Sequence, residues 1–277
     1  MSYTLTWQRL IKLELAINTL NTRTTLDEQS LAFRHALQFL TCLPAGDLPF
    51  PDPKIMGKSV AWYPVIGLLL GIILSLIASI VTSLFNDWIS AGLILTAWVC
   101  LTGALHIDGL ADSADAWLGG LGSKNRTLKI MKAPTSGPIA IATLILVLFL
   151  KLACLQALVA ANHYWALVWV LVLARSNAVL LLIHTPYVRD QGLGSALSEQ
   201  LSRKACYLVI SILCLFSLIT LSWTSFVIIA SSGLCLLTLR YIMLKRLDGC
   251  TGDTLGALIE LSETILLLSL VTCLTTP

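Results

Sequence analysis

The chain has 277 residues, of which 57% are hydrophobic and only 12% charged, whereas soluble domains run at roughly 45–50% apolar and about 25% charged. That balance excludes a soluble enzyme of ordinary composition, and a formal charge of +3 is too slight for a nucleic-acid-binding footprint. The apolar residues come in uninterrupted runs of about the 20 residues needed to cross a hydrocarbon core, so the chain reads as an all-α, polytopic integral membrane helical bundle.

Residues 1–57 form the polar part and read as two amphipathic helices lying on the membrane surface, one around 3–20 and one that starts at Asp27 and is stopped by Pro44. No signal-peptide pattern is expected there, because Lys12, Glu14 and Asn18 interrupt the only apolar stretch. Residues 58–277 read as one transmembrane domain with seven spans, near 60–84, 88–107, 138–160, 164–183, 205–222, 223–243 and 255–274. Positive charge gives an independent test of those spans. Of the 18 Lys and Arg, 16 precede the first span or follow the second, fourth and sixth, which puts the N-terminus in the cytoplasm and the C-terminus outside. Lys151 and Arg175 lie inside spans, and Arg240, counted with the charges that follow the sixth, sits in its last turn. The eight Cys show no C-x-x-C spacing and read as small hydrophobes in helices. Trp88, Trp165 and Trp223 mark the outer interface.

The second span ends in GALHIDGLADSADAWLGG, where Asp108, Asp112 and Asp115 at i, i+4 and i+7 share one helical face. A solvated helix tolerates such spacing, but these acids abut an apolar span with no Lys or Arg at helical spacing. A hard divalent cation relieves their repulsion, and Mg²⁺ held by a few carboxylates together with substrate phosphates is the expected arrangement. The seventh span opens with DGCTGDTLGALIELSE, which puts Asp253, Glu260 and Glu263 on one face. Glu260 and Glu263 lie inside the apolar helix, where an ionisable group is a functional hypothesis by default; pairing with Arg175 for packing is the alternative. Both acidic faces start from the same side and could converge, with Glu260 joining the three aspartates at the metal.

Basic residues punctuate that side: Lys124, Arg126, Lys129 and Lys132 after the second span, and Lys245 and Arg246 after the sixth. Each alone is a topology signal; beside carboxylates they supply the cationic clamp that phosphoryl transfer requires. The turn GCTGD, with Thr251 and Gly252, would let backbone N–H groups approach an oxyanion. No P-loop pattern is present. His106, next to the acids, could shuttle a proton or be an ordinary helix-end histidine, and His35, His163 and His184 have no ligand spacing.

Four separated motifs, GALHIDGLADSADA, RTLKIMK, YVRDQGLGSAL and KRLDGCTGDTLGALIELSE, together with FLTCLP at 39–44 and YPVIGLLLG at 63–71, closely resemble the membrane-embedded cobalamin synthases, or adenosylcobinamide-GDP ribazoletransferases. The likeness runs from about Phe33 to the last span. It implies joining of adenosylcobinamide-GDP and α-ribazole, or its 5′-phosphate, to give adenosylcobalamin, or its phosphate, and GMP, with Mg²⁺ as cofactor, at the cytoplasmic face of the cell inner membrane. With that reaction, Asp108, Asp112 and Asp115, joined by Glu260 or Asp253, are expected to hold one or two Mg²⁺ ions, Asp115 or Asp253 to accept the proton of the attacking ribazole 3′-hydroxyl, and Lys129, Lys132, Arg175, Lys245, Arg246, Thr251, Gly252 and Glu263 to contact substrate. Membrane lipid is an expected partner, and a homo-oligomer or other nucleotide-loop assembly enzymes are further ones; nucleic acid is not. The chain departs from the family pattern at Ala133 and Thr135, where an acid and an arginine are usual, and at Cys42, which replaces an arginine. Two rival classes are weighed beside this one. A CDP-alcohol phosphotransferase would share the Asp-Gly start but need Arg where Asp112 stands. A cation or corrinoid transporter would use Arg175, Glu260 and Glu263 as its pathway.

Overall fold

The computed structural model describes residues 27–48, 52–189, 197 and 200–274; the helix expected around 3–20 lies outside them. The first described element, α1, is helical over 27–40 and ends ahead of Pro44. One face of it is covered by protein rather than lipid. Ala32, His35, Ala36, Leu37 and Leu40 are buried, Phe33 packs edge-on against Trp62, and Phe39 stacks on Tyr63 with ring centroids 5.8 Å apart.

A short helix, α2 (Pro53–Ser59), runs through a 3-10 turn into α3 (Tyr63–Leu84). Asp52 starts it, its carboxylate accepting from the Lys54 N–H at 2.8 Å. There follow α4 (Asp87–Thr102), α5 (Leu105–Gly119), α6 (Lys124–Ile130), α7 (Pro138–Ala160), α8 (Leu167–His184), α9 (Arg203–Leu221), α10 (Trp223–Leu247) and α11 (Gly252–Leu274). Six rods are long and apolar enough to cross a membrane: Pro53–Leu84, α7, the stretch Tyr164–His184, α9, α10 and α11.

The second expected span is where the structure differs. Rather than continuing over 88–107, the helix breaks at Gly103 and Ala104, both left-handed with φ of 62° and 56°, and α5 leaves α4 at 87°. Glycine adopts that conformation freely. A Cβ on Gly103 would also lie 2.4 Å from the Cys42 Sγ, and the Cys42 N–H donates to the Leu101 carbonyl at 2.8 Å, so the loop after α1 fills the break and satisfies it. With 16 residues α4 is only about 24 Å long, short of a hydrocarbon core of about 30 Å. Only the bent pair together meets the length of a seventh span.

The centre of the bundle is α8, which is buried nearly all round. Gly67 and Gly71, one turn apart on α3, let the two backbones touch: a Cβ at Gly67 would stand 2.5 Å from the Leu171 carbonyl oxygen, and one at Gly71 2.5 Å from the Val168 Cα. Polar bonds tie α8 to its other neighbours, with Asn177 donating to the Ser262 hydroxyl on α11 at 2.9 Å and to the Ser232 carbonyl on α10 at 3.1 Å.

Candidate active site

Two glycines build the site. A Cβ on Gly109 of α5 would stand 2.8 Å from the Asp253 carbonyl oxygen, and one on Gly256 of α11 would stand 3.3 Å from the His106 Cα and carbonyl. Helices α5 and α11 therefore cross in backbone contact, which brings Asp108 and Asp112 beside Asp253. Asp112 is half-buried and within electrostatic reach of Asp108, Asp253, Asp115 and Arg189. Among the described residues neither Asp108 nor Asp112 has a side-chain hydrogen bond or ion pair. A small cavity of about 150 Å³ adjoins Asp108, lined also by Phe39, His106, Gly252 and Asp253.

The start of α11 is held by a reciprocal cap. The Thr251 hydroxyl accepts from the Thr254 N–H at 3.2 Å, and the Thr254 hydroxyl accepts from the Thr251 N–H at 2.8 Å. Thr251 is fully buried in that role, which removes it from the substrate contacts expected of it, while Gly252 stays exposed at the cavity.

A second link adds a residue that the sequence marked only as a topology charge. The Val188 N–H donates to the Cys250 carbonyl at 2.9 Å and the Cys250 N–H to the Pro186 carbonyl at 2.8 Å. Gly249 permits this approach, since a Cβ there would meet the Pro186 oxygen at 2.2 Å. The pairing sets Arg189 over the first turn of α11, where its Nη2 donates to Asp253 Oδ2. Its Nε is buried without a partner. The motif YVRDQ carried the signal, but nothing in the spacing ties it to an aspartate 64 residues on.

Asp115 shares the helical face of Asp108 and Asp112, yet its carboxylate is taken. Its oxygens accept from the Gly137 N–H and, at 2.9 Å, the Ala140 N–H, capping α7, whose positive dipole end favours an anion. The expected convergence of Glu260 and Glu263 on the aspartates is not found either. Both are buried deeper along α11, where Lys151 Nζ donates to the two of them and Arg175 Nη1 donates to Glu263. Lys151 also lies 4.9 Å from the centroid of the Trp98 ring. Two cations and two anions thus balance inside the bundle, so Glu260, Glu263 and Arg175 are engaged with Lys151 and with one another rather than with Asp108 and Asp112. The pairing with Arg175 weighed from the sequence is present, with Lys151 as its unforeseen centre, and it leaves no uncompensated charge for a transport pathway. His106 lies between the two clusters, 3% exposed, with both ring nitrogens unpartnered.

The basic residues divide in the same way. Lys124 pairs with Asp248 at 2.7 Å, and Arg246 donates to the Thr127 hydroxyl and the Trp117 carbonyl, each at 3.1 Å, fastening α10 to α5 and α6. Lys129, Lys132 and Lys245 are exposed with no carboxylate partner among the described residues. Among the described residues, no three His, Cys, Asp or Glu side chains gather closely enough to hold an ion unaided. Two unpartnered carboxylates one turn apart, Asp108 at the cavity and Asp112 beside it on the same face, still fit Mg²⁺, which is commonly bound by one or two carboxylates and completed by water and substrate phosphates.

Comparison with known proteins agrees with this picture of the chain. A family model described as cobalamin-5-phosphate synthase matches residues 32–271. A relative from Pseudomonas syringae pv. syringae named adenosylcobinamide-GDP ribazoletransferase is 44% identical, covering 87% of this chain and 98% of its own. Relatives of the same name from Pseudomonas putida and Pseudomonas fluorescens are 45% and 46% identical, covering 87% and 85% of this chain and 98% and 96% of their own. No solved structure matches. With the match running from α1 to near the end of α11, the chain belongs to the cobalamin-5-phosphate synthase family.

Proposed function

We infer that this chain is a membrane-embedded transferase that joins adenosylcobinamide-GDP to α-ribazole, or to its 5′-phosphate, and releases GMP. The observation that carries the reading is the crossing of α5 and α11 at Gly109 and Gly256, which sets two unpartnered aspartates beside a third that an arginine holds. Asp108 and Asp112 would hold Mg²⁺, which when bound supplies neutralising charge to the diphosphate of the activated corrinoid. The chain's own groups do the rest. Lys129 and Lys132 attract the anionic substrate, Gly252 lets it approach without a side chain in the way, and the Arg189 guanidinium meets a phosphate oxygen. Asp253 accepts the proton of the ribazole 3′-hydroxyl. The new bond forms between that oxygen and the phosphorus on the cobinamide arm, and the bond from this phosphorus to the GMP oxygen breaks. Asp115, with both oxygens on the α7 N-terminus, is the weaker candidate for that proton. The distribution of Lys and Arg supports a site that faces the cytoplasm of the inner membrane.

The test is GMP release by lipid-reconstituted protein given both substrates, with and without Mg²⁺. Asp253→Asn is expected to lower the rate by about 10²–10⁴-fold, the usual worth of a positioned base, and Asp112→Asn to raise the Mg²⁺ concentration needed for half-maximal rate. Near-normal release by Asp112→Asn at every Mg²⁺ concentration would sink the metal assignment.

A further inference from the structure

On the face of α5 turned away from the aspartates, Leu110, Ser113, Ala114 and Trp117 follow one another at helical spacing. They floor an apolar cleft of about 270 Å³ whose sides are Thr143 of α7 and Leu239 and Met243 of α10. The cleft does not end there. Leu239 and Leu261 also border a second groove of about 300 Å³ that reaches Ser231 and Leu234. From Met243 to Ser231 the groove follows α10 for twelve residues, about 18 Å at 1.5 Å per residue. One leaflet of hydrocarbon, half of a core of about 30 Å, has nearly that depth.

Three features choose the occupant. The groove runs along α10 with α11 as its other wall, and α7 borders its first part through Thr143; all three are membrane-crossing helices, so what reaches it is the bilayer, and its walls are apolar. At one end the Ser113 hydroxyl, on a residue only 7% exposed, is buried with no hydrogen-bond partner, and a buried hydroxyl needs one. Within a turn of Met243, α10 carries the exposed Lys245 and then Arg246, whose Nη2 is anchored on the carbonyl of Trp117, itself a groove residue. An apolar slot, a lone donor at its mouth and cations just beyond match an acyl chain, an ester carbonyl and a phosphodiester, in that order.

We propose that the groove along α10, walled by α11 and opening beside Thr143 of α7, binds one anionic phospholipid, with an acyl chain along Leu239 and Leu261, its ester carbonyl on Ser113 and its phosphate beside Lys245 and Arg246. The site is separate from the aspartates, lying behind α5, and would brace α5 against α10 from the lipid side.

Native mass spectrometry of the detergent-purified chain titrated with phosphatidylglycerol or phosphatidylcholine tests this. One phosphatidylglycerol per chain is expected, retained at least about tenfold better than phosphatidylcholine. Ser113→Ala should weaken retention by about 2–10-fold, the worth of one hydrogen bond, and Thr143→Trp, which fills the mouth, by more. As a check independent of variant folding, a diazirine-bearing phosphatidylglycerol on the unaltered chain should label residues 239–243. Equal retention of the two lipids, indifference to both variants, labelling confined to other helices, or displacement of the lipid by α-ribazole would each overturn the proposal.

Discussion

Lys151→Met tests whether the buried charges of the bundle are a balanced set. Lys151 is 2% exposed and donates to two carboxylates that are themselves 3% and 0% exposed. Without it Glu263 keeps Arg175, but Glu260 becomes an uncompensated buried anion. Breaking a buried pair in this way costs about 3–5 kcal/mol. At roughly 2–4 °C per kcal/mol for a chain of this size, the unfolding temperature should fall by about 6–20 °C. The double variant Lys151→Met with Glu260→Gln removes one charge of each sign and leaves the Arg175–Glu263 pair intact. It should therefore return to within about 1–2 kcal/mol of the original, because a buried pair replaced by neutral groups is often close to break-even. Intrinsic-fluorescence melting of the detergent-purified single and double variants reads both numbers, and the cycle gives a coupling of about 2–4 kcal/mol between the two positions. If the double variant melts no higher than Lys151→Met alone, Glu260 is not the charge left behind and the reasoning fails.

Two further outcomes bear on how the site is assembled. Gly109→Ala puts a methyl 2.8 Å from the Asp253 carbonyl oxygen and should push α5 from α11, lowering GMP release at least about tenfold in protein that still inserts; Gly92→Ala on α4, where a Cβ meets nothing within 4 Å, should leave the rate unchanged and add up to about 1 kcal/mol of stability. Equal losses of rate in the two variants would contradict the crossing. Asp115→Ala removes the cap of α7 and should cost about 1–2 kcal/mol in melting experiments while Mg²⁺ dependence keeps its midpoint; a shifted Mg²⁺ midpoint with unchanged melting would return Asp115 to the metal.

Much of the bundle is legible in the amino-acid sequence. Apolar runs locate the spans because an uninterrupted helix of sufficient length is a local property, and six of the expected seven coincide with rods of the bundle. The break at Gly103 is harder to read, since both flanks are apolar and a lone glycine inside a helical pattern is usually tolerated. What makes it a bend is the left-handed Ala104 beside it and the Cys42 loop packed into it, which are contacts from elsewhere in the chain.

Residue order along the chain is enough to establish a membrane helical bundle, a shared face for Asp108, Asp112 and Asp115, and ionisable residues within apolar helices. Periodicity tells which residues point the same way. What stands opposite them is a matter of how the helices pack. Asp115 points with its neighbours but meets the bare N–H groups of α7, so it became a cap. Glu260 points with Asp253 along α11 but meets Lys151, more than a hundred residues away in sequence. Arg189 belongs to no periodic element, and only the pairing of Tyr187 with Cys250 delivers it to Asp253. A carboxylate's role follows from the charge or donor across the gap, and the partner across the gap is set by packing between helices, which spacing along one helix cannot encode.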